Sequence, residues 1–165
     1  TYNLGLMLLQ RGLAGGETQY RQLLLTNAKE LHAIGNKNLE VKIEGDIAEA
    51  ATYFQKTLDL DPKDASAHFN LGGIHDRAGN TELAVQYYEN AVRYKRSHLA
   101  ARMQLTKLLL RQGNLDLAEK HAQKGVQYSP NDHRPYTALG KVFAAQAKHE
   151  EAIQQFQKAL EIKQD

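Results

Sequence analysis

A pattern of small and apolar residues recurs every 34 residues along most of this chain. The recurring positions hold leucine and then alanine, as follows: Leu71, Leu105 and Leu139, with Ala84, Ala118 and Ala152. A repeat of this length accommodates two short helices and their connections, and one such unit cannot bury its apolar face alone. The period therefore restricts the fold to an array of helix pairs that stack on their neighbours.

Local signals divide each repeat into two antiparallel helices. Between 65–78 and 81–95, apolar residues follow helical spacing, and Gly79 and Asn80 separate the two stretches. Glycine suits the left-handed end of a helix and asparagine the start of the next one. The same pattern predicts pairs at 99–112 with 115–128 and at 133–146 with 149–163, preceded by one helix at 46–60. With three prolines and no alternating strand pattern, the chain is expected to be all-α.

The repeat also predicts which side chains lie between paired helices. Alanine at Ala118 and its equivalents should let the second helix approach the first closely. Tyr88 and Phe156 should then fill the wider gap beside it. Glu119, next to Ala118, is expected on the exposed side of its helix.

Residues 1–44 keep only traces of this pattern. Asn3-Leu4-Gly5 resembles Asn70-Leu71-Gly72, but the register is lost between Gly35 and Glu44. We expect irregular helices of a degenerate repeat here, with the helix that begins at Glu17 continuing through Ile43 in preference to a separate short helix. No linker interrupts residues 45–165, so these regular repeats are expected to form one continuous solenoid with the N-terminal part.

The repeated combination resembles the tetratricopeptide repeat family. It consists of the 34-residue period, Leu-Gly in the first helix, alanine in the second, and proline in the connector at Pro62 and Pro130. The resemblance is strong over 45–165 and loose over 1–44. It implies antiparallel helix pairs that form a right-handed superhelical solenoid, whose concave face is lined by first helices and binds peptides or partner proteins.

The chain departs from the family pattern at two kinds of position. The connector proline is replaced by Arg96 and Gln164. The tryptophan often found early in the first helix is replaced by a different residue in each repeat, namely His68, Arg102 and Tyr136.

The residue types argue against catalysis and metal binding. The chain has no cysteine, and its three serines lie near predicted helix starts, where capping explains them. His68 and His75 are seven residues apart on one helix, about 10 Å, which is too far to share one zinc ion. His121 is expected to be solvated on a helix edge. We therefore predict a protein that is not an enzyme and has no metal or cofactor.

The charge pattern leaves one alternative to protein binding. The net charge of +2 is mild beside the clustered basic excess of dedicated nucleic-acid domains. Arg93-Tyr94-Lys95-Arg96 nevertheless combines the cations and the aromatic ring that contact single-stranded RNA, although cations are also favoured at a helix C-terminus. A protein-interaction scaffold is the main prediction, and an RNA-binding helical repeat is the alternative. The longest apolar run, 4–9, is too short to span a bilayer, so no membrane association is expected.

The family resemblance also implies candidate partner-binding residues. In the family, the fifth, ninth and thirteenth residues of each first helix tend to face the concave surface. Here these positions supply two apolar anchors and four cations: Phe69 and Met103, with Arg77, Lys107, Arg111 and Lys141. We expect a partner segment with acidic side chains and an apolar side chain. At the C-terminal end, Ile153 and Leu160 lie where a further first helix would dock. We expect this face to contact either a second copy of the chain, which would give self-association, or a continuation of the chain beyond Asp165.

Overall fold

The computed structural model describes residues 46–164, which form seven α-helices and no strand. In chain order the helices are α1 (Asp46–Leu60), α2 (Ala65–Ala78), α3 (Thr81–Tyr94), α4 (Leu99–Arg111), α5 (Leu115–Tyr128), α6 (His133–Ala145) and α7 (His149–Gln164). Every helix predicted after residue 45 is confirmed to within one residue at each end. The predictions for residues 1–44 lie outside the described residues. None of the helices between 46 and 164 is both long and apolar enough to cross a membrane.

The described residues belong to two compact units. The first ends at Tyr94 and contains α1 to α3, and the second begins at Lys95 and contains α4 to α7. Within each unit consecutive helices pack on one another, and in the second unit the first helices α4 and α6 also contact each other. The all-α architecture of antiparallel pairs is confirmed. That residues 45–165 form one continuous solenoid, and that its superhelix is right-handed, remain predictions.

Capping groups fix where the helices begin and end. Asp64 precedes α2, and its carboxylate accepts a hydrogen bond from the Ala67 N–H at 2.7 Å. Gly79 and Gly113 end α2 and α4 with φ of 82° and 73°, the left-handed conformation predicted for Gly79. Ala147 occupies the equivalent position after α6 with φ 60°. An alanine in this conformation costs about 1–2 kcal/mol, because its Cβ approaches the following carbonyl.

The repeat alanines are buried between paired helices, as predicted. Glu119 differs from its prediction, because it is half-buried and bonded within the second unit. Its carboxylate accepts a hydrogen bond from Gln146 Nε2 at 2.8 Å and lies 3.5 Å from Lys148 Nζ. The prediction considered only the contacts of α5 with its paired helix α4. In the structure, the segment that joins α6 to α7 also contacts α5, on the side that carries Glu119.

The sizes of two facing side chains, one on each helix of a pair, differ from one repeat to the next. A Cβ added to Gly72 would lie 2.7 Å from Tyr88 Cδ1, and one added to Gly140 would lie 2.6 Å from Phe156 Cε1. The middle repeat holds Thr106 and Ala122 at these two positions, and both are buried. Glycine therefore faces an aromatic ring, whereas threonine faces alanine. The larger side chain of each facing pair thus comes from the second helix in the outer repeats and from the first helix in the middle repeat.

Candidate protein-binding site

Three of the predicted cations lie on two neighbouring first helices of the second unit. Lys107 and Arg111 are exposed and four residues apart on α4, so they share one face of that helix. Lys141 is exposed at the equivalent position of α6, which contacts α4. We call Lys107, Arg111 and Lys141 the basic face.

The basic face is formed by helices without acidic residues. Neither α4 nor α6 contains an aspartate or a glutamate. Asp132, which precedes the first residue of α6, forms an ion pair with Arg134 at 2.5 Å. This pair lies at the N-terminal end of the helix, whereas Lys141 lies in its C-terminal half. The two helices that carry the basic face therefore contribute cations and no carboxylate to this surface.

The predicted apolar anchors are half-buried. Met103 on α4 fills space beside a glycine of α5, since a Cβ added to Gly125 would lie 2.8 Å from Met103 Cε. In the first unit, Phe69 packs against Tyr88 with ring centroids 5.7 Å apart. Both side chains thus contribute to helix packing and leave only part of their surface available to a partner.

The two predicted residues of the first unit lie on α2. Arg77 is exposed and follows Phe69 by eight residues, about 12 Å along the helix. The predicted set of six residues is therefore divided between a pair in the first unit and a group of four, Met103 with the basic face, in the second.

The histidines of α2 form part of a column of four rings that sequence reasoning did not predict. His75 stacks on Tyr87 at 5.2 Å with the planes 5° apart. Tyr87 lies 5.9 Å from His68, which stacks on Tyr94 at 5.4 Å. Helices α2 and α3 contribute alternate rings to this column. Between residues 46 and 164, no group of three or more histidine, aspartate or glutamate side chains could hold a metal ion.

Burial controls the titration of two rings in this column. It lowers the pKa of His75 to about 4 and raises the pKa of Tyr87. His75 Nδ1 is buried and has no hydrogen-bond partner. Because a charged imidazole would lose its hydration here, His75 is neutral near pH 7.

The residue that replaces the family tryptophan bonds the preceding connector in each described repeat. The three hydrogen bonds go to a carbonyl oxygen six residues earlier: His68 Nε2 to Pro62 at 3.0 Å, Arg102 Nε to Arg96 at 2.9 Å, and Tyr136 Oη to Pro130 at 3.0 Å. Imidazole, guanidinium and phenol thus make the same structural contact. The sequence feature that could have predicted these bonds is that all three side chains carry a hydrogen-bond donor.

His121 also differs from its prediction. It is half-buried on α5, and its Nδ1 atom is buried without a partner. Burial, followed by the positive charges of Arg102 and Lys120, lowers its pKa to about 4. The imidazole is therefore partly removed from water and lies within the electrostatic influence of Arg102 on the paired helix, so it is not solvated as expected.

Comparison with known families identifies the repeats. Three family models, each described as tetratricopeptide repeat, match residues 44–100, 77–142 and 133–165. No curated protein matches the sequence.

Solved structures with a similar fold include several MamA proteins. One MamA crystal structure matches with a TM-score of 0.65 and 23% identity, over 87% of this chain and 78% of that one. Another matches with a TM-score of 0.64 and 21% identity, over 98% and 89%. MamA from Desulfovibrio magneticus matches with a TM-score of 0.62 and 20% identity, over 90% and 76%. These likenesses establish the fold, and none of the comparisons supports the RNA-binding alternative.

Proposed function

This chain belongs to the tetratricopeptide repeat family, and we propose that it is a non-catalytic scaffold that binds an acidic segment of a partner protein along its first helices. The observation that carries the proposal is the basic face, whose three exposed cations lie on adjacent helices that contain no acid. Aspartate or glutamate side chains of the partner would meet Lys107, Arg111 and Lys141. An apolar partner side chain would contact the available surface of Met103. In the first unit, Phe69 and Arg77 would offer the same combination.

Charge complementarity of this kind has a specific kinetic signature. It mainly raises the association rate and selects the partner, whereas buried apolar contacts slow dissociation. Binding should therefore weaken as salt increases, because exposed charges are screened within about 10 Å at roughly 0.1 M ionic strength.

A selection from random peptides tests the proposal. Peptides displayed on phage are selected on the parent chain, and their affinities are measured by fluorescence anisotropy at low and high salt. The double variant Lys107→Glu, Arg111→Glu should weaken binding at least tenfold and flatten its salt dependence, with an unchanged melting temperature.

The matched control is Lys63→Glu, Arg93→Glu, which makes the same change in net charge at exposed positions of the first unit. It should leave the affinity for peptides of the second unit close to the parent value. Equal losses for the two double variants would mean that net charge, and not the basic face, governs binding. Selected peptides without acidic residues would also contradict the proposal.

We also propose that α7 mediates self-association with a second copy of the chain. Ile153 and Leu160 are 56% and 58% exposed and lie seven residues apart, on one face of the helix. The equivalent residues of α5, Glu119 and Val126, are half-buried within the second unit. Ile153→Glu with Leu160→Glu should shift a dimer towards monomer in light scattering. A parent chain that stays monomeric at high concentration would exclude this role.

A further inference from the structure

Arg102 places a cation in the interior of the second unit. The residue is only 6% exposed, and its Nε and Nη2 atoms both donate to the Arg96 carbonyl oxygen, at 2.9 and 2.6 Å. The guanidinium carbon lies 5.1 Å from the centroid of the Tyr128 ring. One carbonyl and one ring face offset only part of the cost of removing this charge from water. Neither hydrogen bond uses Nη1.

The described residues supply no carboxylate to this cation. Arg102 takes no part in the ion pairs between described residues of the second unit, such as those of Arg134 with Asp132 and of Lys148 with Glu119. A buried charge is usually paired, and the planar guanidinium matches the oxygen atoms of carboxylates and phosphates.

His121 adds a second polar group beside this cation. It lies seven residues before Tyr128 on α5, so the two side chains share a face of that helix. Its buried Nδ1 atom has no partner, and the charge of Arg102 contributes to lowering its pKa. Leu117, four residues earlier on the same face, and Tyr128 are exposed apolar residues, at 39% and 38%. A guanidinium without a carboxylate and an imidazole nitrogen without a hydrogen-bond partner thus lie on the same side of α5 as the exposed side chains of Leu117 and Tyr128.

We propose that Arg102, His121 and Tyr128 form a second binding site, which takes the carboxylate of an aspartate or glutamate side chain from a partner protein. The carboxylate would accept from Arg102 Nη1 and from the His121 imidazole, while Leu117 would contact the aliphatic part of the partner segment. A carboxylate fits better than a phosphate, because a dianion costs more to desolvate in a mostly buried site.

This site is independent of the basic face. Arg102 and Lys107 are five residues apart on α4, which separates them by about 140° around the helix axis. Arg102 therefore faces α5 and Tyr128, while Lys107 and Arg111 lie on the other side of α4. The proposal would survive if the basic face bound nothing.

The test follows the His121 ring by NMR during titration with a model of a glutamate side chain. The probe is N-acetylglutamate α-amide, and its glutamine analogue and inorganic phosphate are titrated in parallel. The parent should give a saturable shift of the His121 ring signals with the glutamate probe and at least tenfold weaker responses to the other two compounds. The pKa of His121 should also rise when the glutamate probe is bound, because a nearby anion favours the charged imidazole.

Arg102→Tyr removes the cation while preserving the fold. Tyrosine stands at the equivalent position of the next repeat, where Tyr136 makes the same bond to the connector carbonyl. This variant should keep its helical circular dichroism and lose the glutamate response at least tenfold. Arg111→Tyr, which removes a cation from the opposite side of α4, should keep the response.

Three results would overturn the proposal. The first is a folded Arg102→Tyr variant that responds to the glutamate probe as the parent does. The second is an equal response to the glutamate and glutamine compounds. The third is tighter binding of phosphate than of the glutamate probe, which would indicate a general anion site.

Discussion

Replacement of His75 by phenylalanine should remove a pH-dependent weakness from the first unit. Phenylalanine stands at the equivalent position of α6 as Phe143, so the variant should keep the ring stacked on Tyr87. The pKa of His75 is about 4 in the folded chain, against 6.5 for an ordinary histidine. Above pH 6.5 both folded and unfolded states are neutral at this residue. Between about pH 6.5 and 4 only the unfolded state takes up the proton, so stability falls as the pH falls.

The lowered pKa sets the size of this effect. A difference of about 2.5 pKa units at 1.36 kcal/mol each gives a loss of roughly 3 kcal/mol once both states are protonated. At pH 5 the unfolded state is already mostly protonated, and the loss should be about 2 kcal/mol. This is a large share of the stability of a small helical unit.

The assay compares parent and His75→Phe at pH 7.5 and pH 5. Urea unfolding measures the free energy, and hydrogen–deuterium exchange of α2 and α3 assigns the change to the first unit. The difference between the two chains cancels all other titrating groups, so the variant should gain about 2 kcal/mol relative to the parent as the pH is lowered. Parallel pH profiles for the two chains would refute the reasoning, since they would mean that His75 is protonated in the folded state.

Three further substitutions test the packing. Ala147→Gly should raise stability by about 0.5–1 kcal/mol, because the relief of left-handed strain exceeds the extra freedom of glycine in the unfolded chain; a lower melting temperature would contradict this. Gly72→Thr should cost about 1–3 kcal/mol by overpacking against Tyr88, and Tyr88→Ala in the same chain should recover part of the loss, as measured by a double-mutant cycle in urea. Strict additivity would mean that the sizes of these two facing side chains are independent. Ala118→Leu should cost about 1–3 kcal/mol in thermal melts, whereas Lys120→Leu at an exposed position should be nearly silent, and equal effects would invalidate the register.

Helix bounds and buried alanines could be predicted because they depend on local signals. Periodic apolar residues, Gly79 and Asp64 act within one helix or its connector, and the repeat presents them several times. Glu119 and His121 were predicted incorrectly for the opposite reason. Their surroundings are formed by Gln146 and Arg102, which belong to other helices, so helical spacing alone could not reveal that they are partly buried.

The connector bonds of His68, Arg102 and Tyr136 show a second limit of pattern comparison. When the sequence is compared with the family pattern by residue type, each of these three positions differs from the usual tryptophan. The structure treats them as equivalent, since each donates a hydrogen bond to the carbonyl six residues before it. A comparison by hydrogen-bonding capacity would have grouped them. That comparison would not have separated Arg102 from the other two. Only Arg102 carries a permanent positive charge, which the hydrogen bond to the connector does not need.

Helix α4 carries both proposed sites, so the two can be separated experimentally on one element. Arg102 faces α5, where its charge lacks a carboxylate among the described residues, while Lys107 and Arg111 belong to the basic face. Lys107→Glu with Arg111→Glu should weaken binding of the selected acidic peptides at least tenfold and leave the glutamate response of His121 intact. Arg102→Tyr should have the converse effect. If either variant weakened both responses at least tenfold while the helices stayed folded, the two faces of α4 would be coupled and could not be treated as separate sites.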